Sequence, residues 1–127
     1  MSELVIKRAY AKESAEDGYR ILVDRLWPRG LSKWDLKLDY WAKEITPSTA
    51  IRKYFNHDPK NMVIFRMNYI DELKHNPAAA DFINLVYEKL KIGNVTFLYG
   101  AKDEIYNHAV ILKDWILDHL SGISRGS

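Results

Sequence analysis

Three short apolar runs stand out along the chain: Leu4-Val5-Ile6, Ile21-Leu22-Val23 running on to Leu26, and Val95-Thr96-Phe97-Leu98-Tyr99, which stops at Gly100. Runs of this length, bounded by turn residues, predict strands. The second and third are apolar on both faces, the pattern of a parallel strand covered by helices, not of a half-solvated antiparallel one. The connection from Arg8 to Gly18 is close to the shortest that can carry a parallel crossover, so the direction of the first strand stays open.

The long stretch from Ser32 to Gly93 has helical punctuation. Trp34, Leu38, Trp41 and Ile45 recur at the spacing that lines one helix face, so they predict a first helix. Pro47-Ser48 restarts the chain, and Ile51, Tyr54 and Phe55 form a short second stripe. Asp58-Pro59 reads as an N-cap followed by proline in the first turn, where a missing N–H costs nothing. Met62, Phe65, Tyr69 and Leu73 then give a third helix its buried face. Asn76-Pro77 repeats the signal ahead of Ala79, Ile83, Val86 and Leu90, and Gly93 suits the residue past a helix end. Asp103 is placed to cap a fifth helix with the stripe Ile105, Ala109, Leu112, Ile116 and Leu120.

The expected fold is therefore an α/β single domain over residues 1–120, with a small, mainly parallel three-stranded sheet flanked by about five helices on both faces. Residues 121–127, rich in Ser and Gly, read as a flexible C-terminal tail.

Composition narrows the function classes. At 127 residues, 47% hydrophobic and 28% charged, the chain fits one packed globular domain and excludes collagen-like or disordered descriptions. Nineteen Lys and Arg against 17 Asp and Glu leave a charge of +2, too small to name nucleic acid as partner. The absence of cysteine excludes disulfides, thiolate nucleophiles and zinc-thiolate sites. No run approaches the length of a membrane span, and the first ten residues lack a signal peptide's apolar region. A cytoplasmic protein without membrane partners is the expectation.

Candidate chemistry gathers in two segments. Asp24-Arg25-Leu26-Trp27-Pro28-Arg29-Gly30 places charges just past an apolar strand, where they must be paired or face a cleft. Ligands of open α/β sheets bind outside the strand carboxyl ends, which is where Arg25, Trp27 and Arg29 fall. One reading puts Arg25 and Arg29 in that cleft with Trp27 as a wall. The other pairs Asp24 with Arg25 as a structural salt bridge and buries Trp27. The second segment, Tyr99 to His108, adds Gly100, Lys102 and Asn107 at the start of the last helix, whose free N–H groups favour anions. His108 is the candidate general acid or base, oriented by Asp103 or Asp24, with Arg25 or Arg29 stabilising developing negative charge. His57, before Asp58-Pro59, is either a surface loop residue or a further ligand for the same cleft. Glu104 and His108 share a helix face, but no third ligand accompanies them, so no metal is expected. Dinucleotide, P-loop and nucleophile-elbow signatures are absent, and no cofactor is expected.

These segments, with Pro47-Ser48 and His57-Asp58-Pro59, resemble the DUF488 family in its YeaO-like branch. The resemblance spans nearly the whole chain, and the Asp-Arg-Leu-Trp-Pro-Arg-Gly stretch is its most specific part. It implies a small protein without an established reaction and brings no catalytic residue with it. From the residues, the first expectation is a cleft for a small anion, bearing phosphate or carboxylate or being a nucleotide, with Asp24, Arg25, Trp27, Arg29, His57, Lys102, Asn107 and His108 as its ligand contacts. His108, Asp103 and Arg25 would be its catalytic set if it is an enzyme. A nucleic-acid-binding face over residues 20–60 is the alternative, since residues 1–60 hold twelve cations against nine acids. A structural or interaction domain without ligand is the third reading.

Overall fold

The computed structural model of the chain describes residues 2–126; Met1 and Ser127, the last residue of the expected tail, lie outside the described residues. The sheet is built around β4 (Val95–Tyr99), every residue of which is buried. It has four strands in the order β1-β4-β2-β3, where β1 is Leu4–Arg8, β2 is Tyr19–Leu22 and β3 is Tyr40–Trp41. All three pairings are parallel, which settles the direction of the first strand. The register sets Leu4 and Tyr19 beside Val95, and Ile6 and Ile21 beside Phe97, so odd-numbered β4 residues share one face with Ile21.

The helices divide unevenly between the two faces. Val95, Phe97 and Tyr99 join one core with residues of α2 (Thr49–Phe55), α3 (Met62–His75), α4 (Ala79–Leu90) and α5 (His108–Gly126). The stripe of Phe65, Tyr69 and Leu73 packs here as its spacing predicts. The opposite face buries Leu22 and Leu98 against Leu36 of the one-turn helix α1 (Lys33–Leu36), with Trp27 and Trp41 around them. No helix among the described residues is long and apolar enough to cross a membrane.

Three expectations are corrected. The sheet has four strands, not three, because the predicted helix over Trp34 to Ile45 is broken. α1 is closed at its start by the reciprocal Ser32–Asp35 capping box and stopped by Lys37 at φ 46°. The chain is then drawn onto the edge of β2. Asp39 N–H donates to the Arg20 carbonyl at 2.9 Å, and the Asp39 carboxylate accepts the Arg20 N–H at 2.8 Å. Trp34, assigned to the buried stripe, is 85% exposed, and Leu36 is buried in its place.

The second correction is at the strand end: β2 stops at Leu22, the last rung is Val23 N–H to the Leu98 carbonyl, and Leu26 is 70% exposed. Third, α5 begins at His108, not after Asp103. The Asp103 carboxylate closes a local turn on the N–H groups of Ile105 and Tyr106, both at 2.9 Å. Asn107 accepts the Val110 N–H at 3.0 Å and so takes the capping role, which leaves Ile105 69% exposed.

The second face also buries charge. Asp17 receives Lys7 at 3.0 Å and Arg20 at 2.5 Å, while Arg20 Nε and Nη2 donate to the Leu36 carbonyl at 3.1 and 2.8 Å. Burial pushes the Asp17 carboxyl up, but the Ser14 N–H, Lys7 and Arg20 outweigh it and hold the group below the usual carboxylate value. Arg20 is 3% exposed, which removes it from any basic outer face. Glycine is required just before β2. Gly18 has φ 65°, and a Cβ there would come within 2.0 Å of the Asn94 carbonyl oxygen, which accepts the Tyr19 N–H.

Candidate functional site

Parallel strands leave their carboxyl ends on one edge of the sheet, so the segments after β2 and β4 emerge side by side. Asp24 clamps them together. Its Oδ2 accepts the Gly100 N–H at 2.8 Å, and its Oδ1 lies 2.9 Å from His108 Nε2. The same Nε2 is 2.9 Å from the Val23 carbonyl oxygen. With acceptors on two sides, Nε2 must carry the hydrogen. That N–H is aimed at Val23, so Asp24 Oδ1 is a buried negative neighbour of the ring without an aligned donor. A Cβ on residue 100 would meet Asp24 Oδ2 at 3.0 Å, so the clamp favours glycine there. Arg8 secures the next turn by donating to the Ala101 and Gly100 carbonyls at 3.0 and 3.4 Å.

Asp24 makes no salt bridge with Arg25 among the described residues. Arg25 turns outward instead and donates from Nη1 to Thr49 Oγ1 at 3.1 Å. Arg52 Nη2 donates to the same hydroxyl oxygen at 3.3 Å. Two guanidinium groups therefore meet at one neutral oxygen, and neither has a carboxylate partner among the described residues. Arg52 Nε is buried with no hydrogen-bond partner.

Around this pair opens a cleft of about 990 Å³. Every residue expected as a ligand contact or catalytic group lines it: Asp24, Arg25, Trp27 and Arg29 on one wall, Lys102, Asp103, Asn107 and His108 on the next, and His57 at the end of α2. Their roles differ. Trp27 is half-buried, donates from Nε1 to the Leu31 carbonyl at 2.6 Å and meets Trp41 edge-on at 5.4 Å. Asn107 is buried and spends both ends of its amide on the backbone, donating to the Asp103 carbonyl at 2.8 Å and capping Val110. The Asp103 carboxyl is held below its usual value by the Tyr106 and Ile105 N–H groups. Arg29 and Lys102 are exposed, and the Arg29 carbonyl accepts the Tyr10 hydroxyl at 2.9 Å. His57 follows Asn56 in the left-handed region, at φ 55° and 47°, with its ring 6.2 Å from Phe55.

The third wall is Thr49, Arg52, Lys53 and Phe55 of α2, of which the sequence places Arg52 and Lys53 only on the alternative basic face of residues 20–60 and not in this cleft. Its signal was Thr49 and Arg52 three residues apart, hence neighbours on a helix surface. Arg25, Arg29, Arg52, Lys53 and Lys102 thus share a cleft with two carboxylates, Asp24 and Asp103, each already accepting backbone N–H groups. Among the described residues no group of three or more His, Asp or Glu side chains is placed to hold a metal ion.

Known proteins agree with the resemblance carried by these same segments. The chain is similar to the uncharacterized protein YeaO of Escherichia coli K12, at 46% identity over 110 residues, 87% of this chain and 93% of the relative. It is similar to the uncharacterized proteins Mb3100c of Mycobacterium bovis and Rv3073c of Mycobacterium tuberculosis H37Rv, each at 31% identity over 107 residues, 84% of this chain and 87% of the relative. No solved structure matches the chain. Residues 3–125 match the family described as the inactive DUF488-N3 subclade, so the chain belongs to the DUF488 family.

Proposed function

We propose that the cleft at the strand ends binds a small anion, a phosphate-bearing one foremost, and holds it without turning it over. The observation that carries this reading is the convergence of Arg25 and Arg52 on Thr49 Oγ1 with no carboxylate between them. Like charges brought together repel, and an oxyanion between the two guanidinium groups relieves the repulsion while satisfying their forked donors. Thr49 Oγ1 accepts from both arginines, which leaves its hydroxyl hydrogen to donate to the same anion. The buried, unpartnered Arg52 Nε and the nearby Lys53, Arg29 and Lys102 support the same polarity. The subclade's description as inactive favours binding over turnover.

A titration of wild type and Arg25→Ala with inorganic phosphate tests this, read by calorimetry and thermal shift at low and high salt. Loss of a charge-assisted contact worth about 1.5–3 kcal/mol weakens binding roughly tenfold to a hundredfold. Phosphate that fails to saturate the wild type, or that binds Arg25→Ala equally well, refutes the proposal. Stabilisation by a short DNA alone, abolished by salt, would favour the nucleic-acid alternative.

The Asp24–His108 contact favours a second reading, an enzyme in which His108 Nδ1 is the acid or base and Arg25 the charge stabiliser. Asp24, not Asp103, is then the orienting carboxylate. Substrate turnover abolished in His108→Gln, with phosphate affinity retained, would establish it.

A further inference from the structure

Resting on the anion reading above, we infer that the ligand carries two phosphate groups, one between Arg25 and Arg52 and a second held by Arg29 and Lys102. Charge is the first argument. Arg25, Arg29, Arg52, Lys53 and Lys102 all line the cleft, and none of the five forms an ion pair among the described residues. The two lining carboxylates are already engaged, Asp24 by the Gly100 N–H and Asp103 by two N–H groups of its own turn. Even counted in full against the five cations they leave three positive charges, and one phosphate monoester brings about two negative charges at most. The cleft, at about 990 Å³, is also far larger than a lone phosphate fills and falls in the range of sites for whole metabolites.

The cations also divide into two groups held by different elements. Arg25 and Arg52 are drawn to Thr49 on α2. Arg29 and Lys102 are instead placed by the other side of the sheet, through Arg8 at the end of β1 and Tyr10 just past it. Tyr10 donates its hydroxyl to the Arg29 carbonyl at 2.9 Å, and the Arg8 guanidinium lies over its ring at 5.2 Å. The Tyr10 ring crosses the end of β4 on the way, 4.0 Å from where a Cβ on residue 100 would stand. Arg8 in turn donates to the Ala101 carbonyl at 3.0 Å, next to Lys102. This brace engages only the backbone of Arg29 and of the residues before Lys102. Both cationic side chains are therefore exposed and, among the described residues, make no hydrogen bond. A guanidinium fork and an ammonium group placed by one brace form a second oxyanion position. A single phosphate drawn to Thr49 leaves that position unanswered.

The test compares fructose 1,6-bisphosphate with fructose 6-phosphate, and pyrophosphate with inorganic phosphate, by calorimetry on wild type and on the double variant Arg29→Ala/Lys102→Ala. A second charge-assisted contact predicts that at least one two-phosphate compound binds wild type roughly tenfold to a hundredfold tighter than its one-phosphate counterpart. A gain for the bisphosphate marks phosphates spaced along a carbon chain, and a gain for pyrophosphate marks adjoining ones. The variant loses two exposed side chains and keeps the Arg29 carbonyl that Tyr10 uses, so it should fold and should bring the ratio back toward unity. If neither two-phosphate compound gains over its counterpart, or if the gain survives in the double variant, the inference is overturned and the anion site stands. If none of the four compounds binds wild type, both readings fail together.

Discussion

Replacing Asp24 should loosen the two strand ends that form the site, and the size of the effect follows from what each oxygen does. Oδ2 is the acceptor for Gly100 N–H at 2.8 Å, and Oδ1 is the negative charge beside His108 Nε2–H at 2.9 Å, on a side chain 19% exposed. Asp24→Ala removes a charged hydrogen bond and orphans a half-buried N–H, together about 2–4 kcal/mol. Asp24→Asn keeps an acceptor for Gly100 but turns an NH₂ toward the imidazole N–H. The ring cannot escape by changing tautomer, because an Nε2 lone pair would then face the Val23 carbonyl oxygen. The asparagine variant should therefore recover only part of the loss and remain about 1–2 kcal/mol below wild type. Urea unfolding measures both through the midpoint, with an unchanged slope confirming that compactness is unaffected. Imidazole nitrogen shifts of His108 report the tautomer separately. An asparagine variant as stable as wild type, or a wild-type ring with its hydrogen on Nδ1 alone, would refute the arrangement.

The buried Asp17 makes a prediction about acid. Its carboxyl sits below the usual value near 3.8, so the stability it contributes is present above that value and is lost as pH falls through the lower folded value. Asp17→Asn should flatten the pH dependence of the urea midpoint in this acid window, and at neutral pH it should cost about 3 kcal/mol by leaving Arg20 buried without its counter-charge. Equal acid slopes in the two proteins would contradict it. At the opposite extreme, Trp34→Ser removes one of the two largest side chains of the expected first stripe, yet at 85% exposure it should change stability by less than about 0.5 kcal/mol, whereas Leu36→Ala should cost about 2–5 kcal/mol.

Where the neighbours along the chain decide the conformation, the sequence is readable. Asp58 Oδ1 takes the Lys60 N–H at 3.0 Å and Pro59 opens a 3-10 turn that leads into α3, as the Asp-Pro signal predicts. Phe65, Tyr69 and Leu73 are all 1% exposed. Where a distant partner decides, the reading fails. Trp34, Leu38, Trp41 and Ile45 have helical spacing, but Asp39 finds both backbone groups of Arg20, nineteen residues back, and Trp41 Nε1 reaches the Asp24 carbonyl at 2.7 Å. Those contacts turn a helix face into an edge strand. Asp103 failed as a cap for a local reason: its carboxylate closes a turn three residues short of the helix that Asn107 starts.

Most of the site was legible for a different reason, and one of its walls was not. A charge next to a doubly buried strand must be answered somewhere, and the two arginines that leave β2 are answered in opposite ways. Arg20, inside the strand, has donors to Asp17 and to the Leu36 carbonyl and is closed within the fold. Arg25, past the strand end, has a hydroxyl that it shares with a second arginine. The chain thus supplies a carboxylate to the arginine that the core must tolerate and supplies none at the mouth of the cleft, where Asp24 is turned inward to Gly100 and His108. Sequence reasoning reached Arg25 because its setting is visible in the adjacent residues. It placed Arg52 only on the alternative basic face and passed over Thr49, because only the return of the chain after β3 brings α2 beside the strand ends. The incompleteness of the Arg25–Arg52 pair is a property of the folded chain, and an incoming anion is the partner that completes it.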